Sequence, residues 1–235
     1  MKKITSILLG LVLVVSFALT GCQSGTEPKT NAVTEPTIPQ NKNETGTNQP
    51  EETVSDLKIT AEAAPVEVRL ASDGQYNYEY NKDEYAVTAT TNGSTFEIKV
   101  TDITPEVHSE NQTNVVVYIP DQSYTLITGV SEGSSLILPA INSNITVTSN
   151  ASSVIFTLPN NYNKTLNYTG NASSCSLFMS NINDFAVSTK ISTSTVSVPS
   201  SWPAYDMLSS NYNYTDGNGT AKINIDVTSS SFIFE

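Results

Sequence analysis

The stretch Ile145-Thr146-Val147-Thr148-Ser149-Asn150-Ala151-Ser152-Ser153-Val154-Ile155-Phe156-Thr157-Leu158 returns 21 residues later as Leu166-Asn167-Tyr168-Thr169-Gly170-Asn171-Ala172-Ser173-Ser174-Cys175-Ser176-Leu177-Phe178-Met179. The Asn-Ala-Ser-Ser turn is repeated unchanged. The hydrophobes around it alternate in the same phase: Ile145 and Val147 match Leu166 and Tyr168, and Val154, Phe156 and Leu158 match Cys175, Leu177 and Met179. One offset that carries both a polar turn and its flanking alternation marks a stacked repeat.

Extending the register outward gives two sets of short alternating runs. The first set is Tyr76-Tyr78-Tyr80, Phe96-Ile98-Val100, Val115-Val117-Ile119, Ser134-Leu136-Leu138, Val154-Phe156-Leu158, Cys175-Leu177-Met179 and Val196-Val198, with offsets of 20, 19, 19, 20, 21 and 21. The second is Val66-Val68-Leu70, Tyr85-Val87, Tyr124-Leu126, Ile145-Val147, Leu166-Tyr168 and Phe185-Val187, with Ile103 and Val107 as weak candidates in its gap. No segment has a capped helical period, so the class is all-β. The spacing predicts a short single-chain β-solenoid of about 20 residues per turn, whose turns stack at about 4.8 Å into a rod of roughly 35 Å. The alternative is a β-sandwich, which also has many short strands at regular intervals. A sandwich has no reason to hold one side-chain phase through six consecutive offsets.

The register breaks after Pro199. Residues 199–235, with Trp202, Tyr205, Ile223-Ile225-Val227 and Phe232-Phe234, are expected to cap the end turn, which would otherwise pair with other chains. The tail strands are expected to pair as a hairpin.

The N-terminus reads as a targeting segment. Lys2 and Lys3 precede an apolar run from Ile4 to Leu19, which is too short to span a membrane. The run closes on Leu19-Thr20-Gly21-Cys22, which resembles a bacterial lipoprotein lipobox. That resemblance implies a signal peptide over 1–21. It also implies lipidation of Cys22, with diacylglycerol on its thiol and an acyl chain such as palmitate on its amine. Two or three chains anchor stably where one does not. The implied localisation is the extracytoplasmic face of a bacterial cell membrane.

Residues 22–56 hold only Ala32, Val33, Ile38 and Val54 as apolar side chains beyond the anchor. They cannot offset their ordering entropy by burial and read as a disordered tether. Residues 57–235 form the expected domain. Cys175 is then an unpaired thiol in a repeat position held by valine at Val115, Val154 and Val196, and reads as a small core hydrophobe.

The chain has 11 basic and 23 acidic residues, a net charge of −12. This argues against nucleic acid as a partner and against attraction to anionic headgroups.

The run from Val66 through Val198 resembles the bacterial "putative adhesin" family of short β-solenoid domains of unknown function. The carriers are hydrophobe-x-hydrophobe, Asn or Gly, Ser-Ser, then hydrophobe-x-hydrophobe-Pro, as from Ile145-Thr146-Val147 to Leu158-Pro159 and in Val117-Tyr118-Ile119-Pro120. The resemblance implies a cell-surface solenoid and supplies no catalytic residues.

Tyr76, Tyr78 and Tyr80, with Trp202 and Tyr205, are the candidate ligand platform, because aromatic rings stack on sugar faces. The register instead reads the tyrosines as a core turn with hydroxyls at its edge. Asp73, Glu79, Asp83 and Glu84, and also Asn211, Asn213, Asp216 and Asn218, offer the oxygens calcium favours, but neither group has a calcium-loop spacing. Asn92-Gly93 and Asp216-Gly217 fit tight turns better. His108 is the single histidine and has no nucleophile elbow, so a serine hydrolase is not indicated. The Asn-x-Ser/Thr triplets, such as Asn144-Ile145-Thr146, read as turn chemistry in a bacterial protein. No catalytic residue, metal or cofactor is implied.

The expectation is a non-catalytic structural or adhesive protein that meets the membrane through its lipid and a cell-surface protein or glycan through flat sides rich in Ser, Thr and Asn. The alternatives are a carbohydrate-binding module and an extracytoplasmic partner of an envelope signalling system.

Overall fold

Strand β1 (Asn43–Thr47) opens the series, followed by β2 (Asp56–Glu62), β3 (Pro65–Ala71), β4 (Asn77–Asn81), β5 (Tyr85–Asn92) and β6 (Thr95–Asp102). Next come β7 (Val115–Pro120), β8 (Leu126–Glu132), β9 (Ser135–Leu138), β10 (Ile145–Asn150), β11 (Ser153–Thr157) and β12 (Thr165–Asn171). The last are β13 (Ser174–Phe178), β14 (Phe185–Ser192), β15 (Thr195–Ser197), β16 (Asn211–Asp216), β17 (Ala221–Thr228) and β18 (Ser231–Phe234). This computed structural model describes residues 43–47, 49–50, 53–104, 114–179, 181–206 and 209–235. The leader, Cys22, Val107 and His108 lie outside the described residues.

The strands form two mixed sheets of nine. The first runs β1-β4-β7-β3-β9-β11-β13-β18-β15 and the second β5-β6-β2-β8-β10-β12-β17-β14-β16. Seven consecutive pairs, β2–β3, β6–β7, β8–β9, β10–β11, β12–β13, β14–β15 and β17–β18, each place one strand in either sheet. Each pair is one rung, and rungs meet their neighbours in parallel: Ile145↔Leu166 in one sheet accompanies Val154↔Cys175 in the other. Antiparallel strands close the ends, β5 on β6, β4 and β1 beyond β7, and β16 on β14.

Both sheets turn alternate side chains into one shared core. Leu57, Ile127, Ile145, Leu166 and Ile223 stack in one column of the second sheet. Val66, Leu136, Val154, Cys175 and Phe232 stack in the first. All ten are buried, and each large aliphatic or aromatic among them contributes roughly 1.5–3 kcal/mol by leaving water. Phe156 and Tyr168 meet edge to face between the sheets at 5.8 Å.

The repeated Asn-Ala-Ser-Ser is the corner between the sheets. Ala63, Ala151, Ala172, Ser229 and Thr193 take φ of 47–53° there, and Gly133 takes 57°. L-residues enter this left-handed region at a cost of roughly 1–2 kcal/mol. The compensation is a stack of hydrogen bonds. Gly133 N–H donates to Asn150 O, Ala151 to Asn171, Ala172 to Thr228 and Ser229 to Ser192, all at 2.9–3.0 Å. Beside it runs a serine ladder. Ser152, Ser173, Ser230 and Ser194 each donate Oγ–H to the carbonyl two residues back, at 2.7–2.8 Å. Each Oγ also accepts the next rung's N–H, from Ser134, Ser152, Ser173 and Ser230 respectively, at 2.9–3.3 Å.

Rung order departs from chain order at both ends. In space it is β6–β7, β2–β3, β8–β9, β10–β11, β12–β13, β17–β18, β14–β15. Residues 221–234 therefore do not cap the series and do not form a hairpin, since β17 and β18 lie in different sheets between β12–β13 and β14–β15. The predicted neighbours Cys175 and Val196 are separated by Phe232. Phe96-Ile98-Val100 pairs with Leu57-Ile59-Ala61 in the second sheet, and Val66-Val68-Leu70 pairs with Val115-Val117-Ile119 in the first. Leu136, not Ser134, is opposite Val154. In β8 the inward residues are Ile127, Gly129 and Ser131, so Leu126 faces out. Position 129 is inward by alternation and holds glycine because a Cβ there would sit 2.8 Å from Val147 Cγ2 and 3.0 Å from Leu136 Cδ2. Ile103 is half exposed and joins no core. Of the residues read as tether, Asn43–Thr47 forms β1 on β4, and Val54 is buried.

Candidate functional site

The five aromatic candidates fall at opposite ends of the rung series and do not form one site. At the β6–β7 end, Tyr76 is buried, with its ring centroid 4.3 Å from Phe96. Its hydroxyl pairs with that of Tyr124 at 3.1 Å, and burial holds both phenols above their ordinary pKa. Tyr78 lies over Gly46, where a Cβ would come within 2.1 Å of its ring, so β1 needs glycine there. Tyr80 donates to Glu44 Oε2 at 3.4 Å.

At the other end, Trp202 packs within 4.9–5.2 Å of Phe185, Tyr214 and Phe234. β15 is only three residues long, and Trp202 covers the Phe234 that it leaves open. Tyr205 donates to Ser209 O at 2.9 Å, and Tyr212 donates to Pro203 O at 3.0 Å. These rings are engaged by the protein, whereas a sugar platform needs a free face.

The oxygen-rich groups serve turns. Asp73 Oδ1 accepts from Gln75 N–H at 3.0 Å, and Asn81 Oδ1 from Asp83 N–H at 3.1 Å. Gly93 and Gly217 take the positive φ their turns require. Among the described residues no three His, Cys, Asp or Glu side chains gather as a metal site. Cys175 is buried, and desolvation pushes its thiol pKa well up, the opposite of a reactive thiolate.

The feature that pattern reading missed is on the outer face of the second sheet. Outward residues of successive rungs stand in columns because the strands are parallel and in register. One column is Thr146, Asn167, Asn224 and Ser188; beside it run Thr148, Thr169, Asp226 and Lys190. Asn167 Nδ2 donates to Thr146 Oγ1 at 3.4 Å, and Asn224 Nδ2 to Asn167 Oδ1 at 3.0 Å. Each carboxamide spends part of its capacity sideways and keeps the rest for an incoming molecule. Lys190 Nζ lies 4.0 Å from Asp226 Oδ2, an exposed pair open to competition by a ligand. Six of these side chains, Asn167, Thr169, Ser188, Lys190, Asn224 and Asp226, line a shallow groove of about 310 Å³. No sequence signal could locate it, because Asn167 and Asn224 are 57 residues apart.

Farther along the same face, Lys58 pairs with Glu97 and Lys99 with Glu62, each at 2.7 Å. The Lys99 hydrogen bond lowers the Glu62 pKa. The outer face of the first sheet is different. Ser135, Ser153, Ser174 and Ser231 form one column, and Ile137, Ile155, Ser176 and Ile233 the next. A second depression of about 290 Å³, lined by Asp73, Asn77, Glu79 and Tyr118 among others, lies near β1 and β4. No helix among the described residues is long and apolar enough to cross a membrane.

No protein-family model matches the chain. No curated protein matches it. Among solved structures, it is similar to a "putative cell adhesion protein" from Clostridium sporogenes, with a TM-score of 0.57 and 12% identity, over 82% of this chain and 98% of that one. A "putative adhesin" from Bacteroides fragilis aligns over 84% of this chain and 99% of that one, with a TM-score of 0.37 and 9% identity. The first likeness is one of fold: an all-β chain of the kind found in an adhesin-like protein.

Proposed function

We propose that the chain is a lipid-anchored β-solenoid on the extracytoplasmic face of a bacterial cell, acting by non-catalytic contact. The contact surface is the outer face of the second sheet, centred on the groove between β12, β17 and β14. The observation that carries this reading is the pair of in-register columns through Asn167, Asn224, Thr169 and Asp226, an ordered, exposed polar surface whose groups are only partly engaged by one another. The adhesin-like fold neighbour supports a surface role. A solenoid is favoured over a sandwich because each consecutive strand pair adds one strand to either sheet in the same spatial order. The carbohydrate-binding reading is carried by the same groove, whose amides, hydroxyls and single ion pair suit a polyhydroxylated ligand better than the engaged aromatic rings do.

The test uses the full chain with Cys22→Ala, labelled and applied to whole cells and to a glycan array. Binding lost in Asn224→Ala/Asp226→Ala, with an unchanged melting temperature, is the expected result. Binding that survives this change would place the contact surface elsewhere. Absence of binding to either target would remove the adhesive reading. Lipidation is tested separately: metabolic lipid label is expected in the parent and absent from Cys22→Ala.

A further inference from the structure

The slot filled by β17–β18 lies between two rungs that both precede it in the chain. Until residues 221–234 arrive, β12 and β14 in one sheet, and β13 and β15 in the other, each present an unpaired edge. What the slot recognises is complete within the segment. Ile223, Ile225, Val227, Phe232 and Phe234 are buried between the stacked side chains of the neighbouring rungs. The corner locks on both sides: Ala172 N–H donates to Thr228 O, and Ser230 N–H donates to Ser194 Oγ at 2.9 Å. None of these contacts depends on which chain supplies the segment.

Only residues 198–220 join the segment to its own β15. This connection includes β16, so only with β16 released from β14 and carried along with the segment does it, when extended, reach on the order of 70 Å, enough to cross to a neighbouring molecule. Its final turn carries Gly217 and Gly219 at φ of 63° and 69°, and is held over the start of β14 by Asp184, which accepts from Thr220 N–H at 3.1 Å. That hold is exposed and hydrogen-bonded only, while the slot itself is buried.

We infer that this slot accepts the β17–β18 segment of a second copy of the chain, giving exchanged dimers in which each molecule completes the other's two sheets. Exchange makes no new contact, so it is a competition of concentrations. The chain's own segment acts at an effective concentration in the millimolar range, and dimers form when copies are crowded to that level during folding. The partner is specified by the fit of the slot to its own filler. The inference does not require the groove to bind anything, so it stands apart from the contact reading above.

The experiment pairs two full-length chains, both with Cys22→Ala, one bearing Asn167→Cys and the other Asn224→Cys. Both positions are exposed and adjacent across β12 and β17. The two are unfolded together, refolded at high protein concentration and oxidised. A chain carrying both cysteines checks that the link forms within a molecule. Asn167→Cys with Ser188→Cys on separate chains reports random collision, because β14 lies one rung farther off. The expected result is a dimer peak rich in cross-chain 167–224 links, at several times the 167–188 yield and falling with dilution during refolding. Equal yields for the two pairs, or cross-chain links absent while the single-chain link forms, would overturn the inference.

Discussion

Replacing Ser173 by alanine removes one oxygen that serves two rungs. Ser173 Oγ accepts the Ser152 N–H at 3.2 Å and donates to Asn171 O at 2.8 Å. The carbonyl is not orphaned, because Asn171 O also accepts from Ala151 N–H at 2.9 Å. The Ser152 N–H is orphaned, in a corner where Ser152 and Ser173 are 7% and 5% exposed. An unsatisfied buried donor costs about 1–3 kcal/mol. For a domain of this size each kcal/mol shifts Tm by roughly 2–4 °C, so a fall of about 4–8 °C is expected for a mid-range cost. Ser176→Ala, three residues farther on and facing outward in β13, is the control and should stay within about 0.5 kcal/mol of the parent. Urea denaturation and calorimetry on the three proteins decide the matter. If Ser173→Ala melts with the parent, or Ser176→Ala loses as much, the serine ladder is not what holds the corners.

Three further outcomes are expected. Ala172→Gly should stabilise by on the order of 0.5 kcal/mol, because relief of the left-handed alanine outweighs the extra backbone entropy of glycine, while Ala172→Val should destabilise in the same denaturation assay. Asp184 has a pKa below its ordinary 3.8, chiefly through the Thr220 hydroxyl. Its contribution is therefore present above that value and lost as pH falls through the lower folded value, so Tm should drop more steeply below about pH 4 in the parent than in Asp184→Asn. With Cys22→Ala leaving Cys175 as the single thiol, a thiol reagent should not label the native protein and should label it in urea; rapid native labelling would contradict burial of that side chain.

The all-β class and the phase of the central rungs were legible in the sequence. Between β10–β11 and β12–β13 the chain returns to the neighbouring position after 21 residues with the same corner, and the structure keeps that register. Legibility failed where the next rung in space is not the next in the chain. Val187 reaches Leu166's neighbourhood only through Ile223, so local spacing near Phe185 carried no sign of the inserted strand. It failed in β8 because Gly129 and Ser131 hold inward positions while Leu126 faces out, the reverse of a polarity pattern. The unbroken alternation of Ile223-Ile225-Val227 did carry a signal: a run buried on one face belongs inside a sheet as readily as at its end. The groove was illegible for the same reason as the insertion, since its columns join residues that only stacking brings together.

The placement of β17 is the claim on which the stacking order, the groove and the exchange inference all depend. Isotope-edited NMR on the full chain tests it through the neighbours of Ile225, which is paired with Tyr168 on one side and Thr189 on the other. Cross-strand contacts from Ile225 to both residues are expected. Direct backbone contacts between Tyr168 and Thr189, with Ile225 touching neither, would contradict the account.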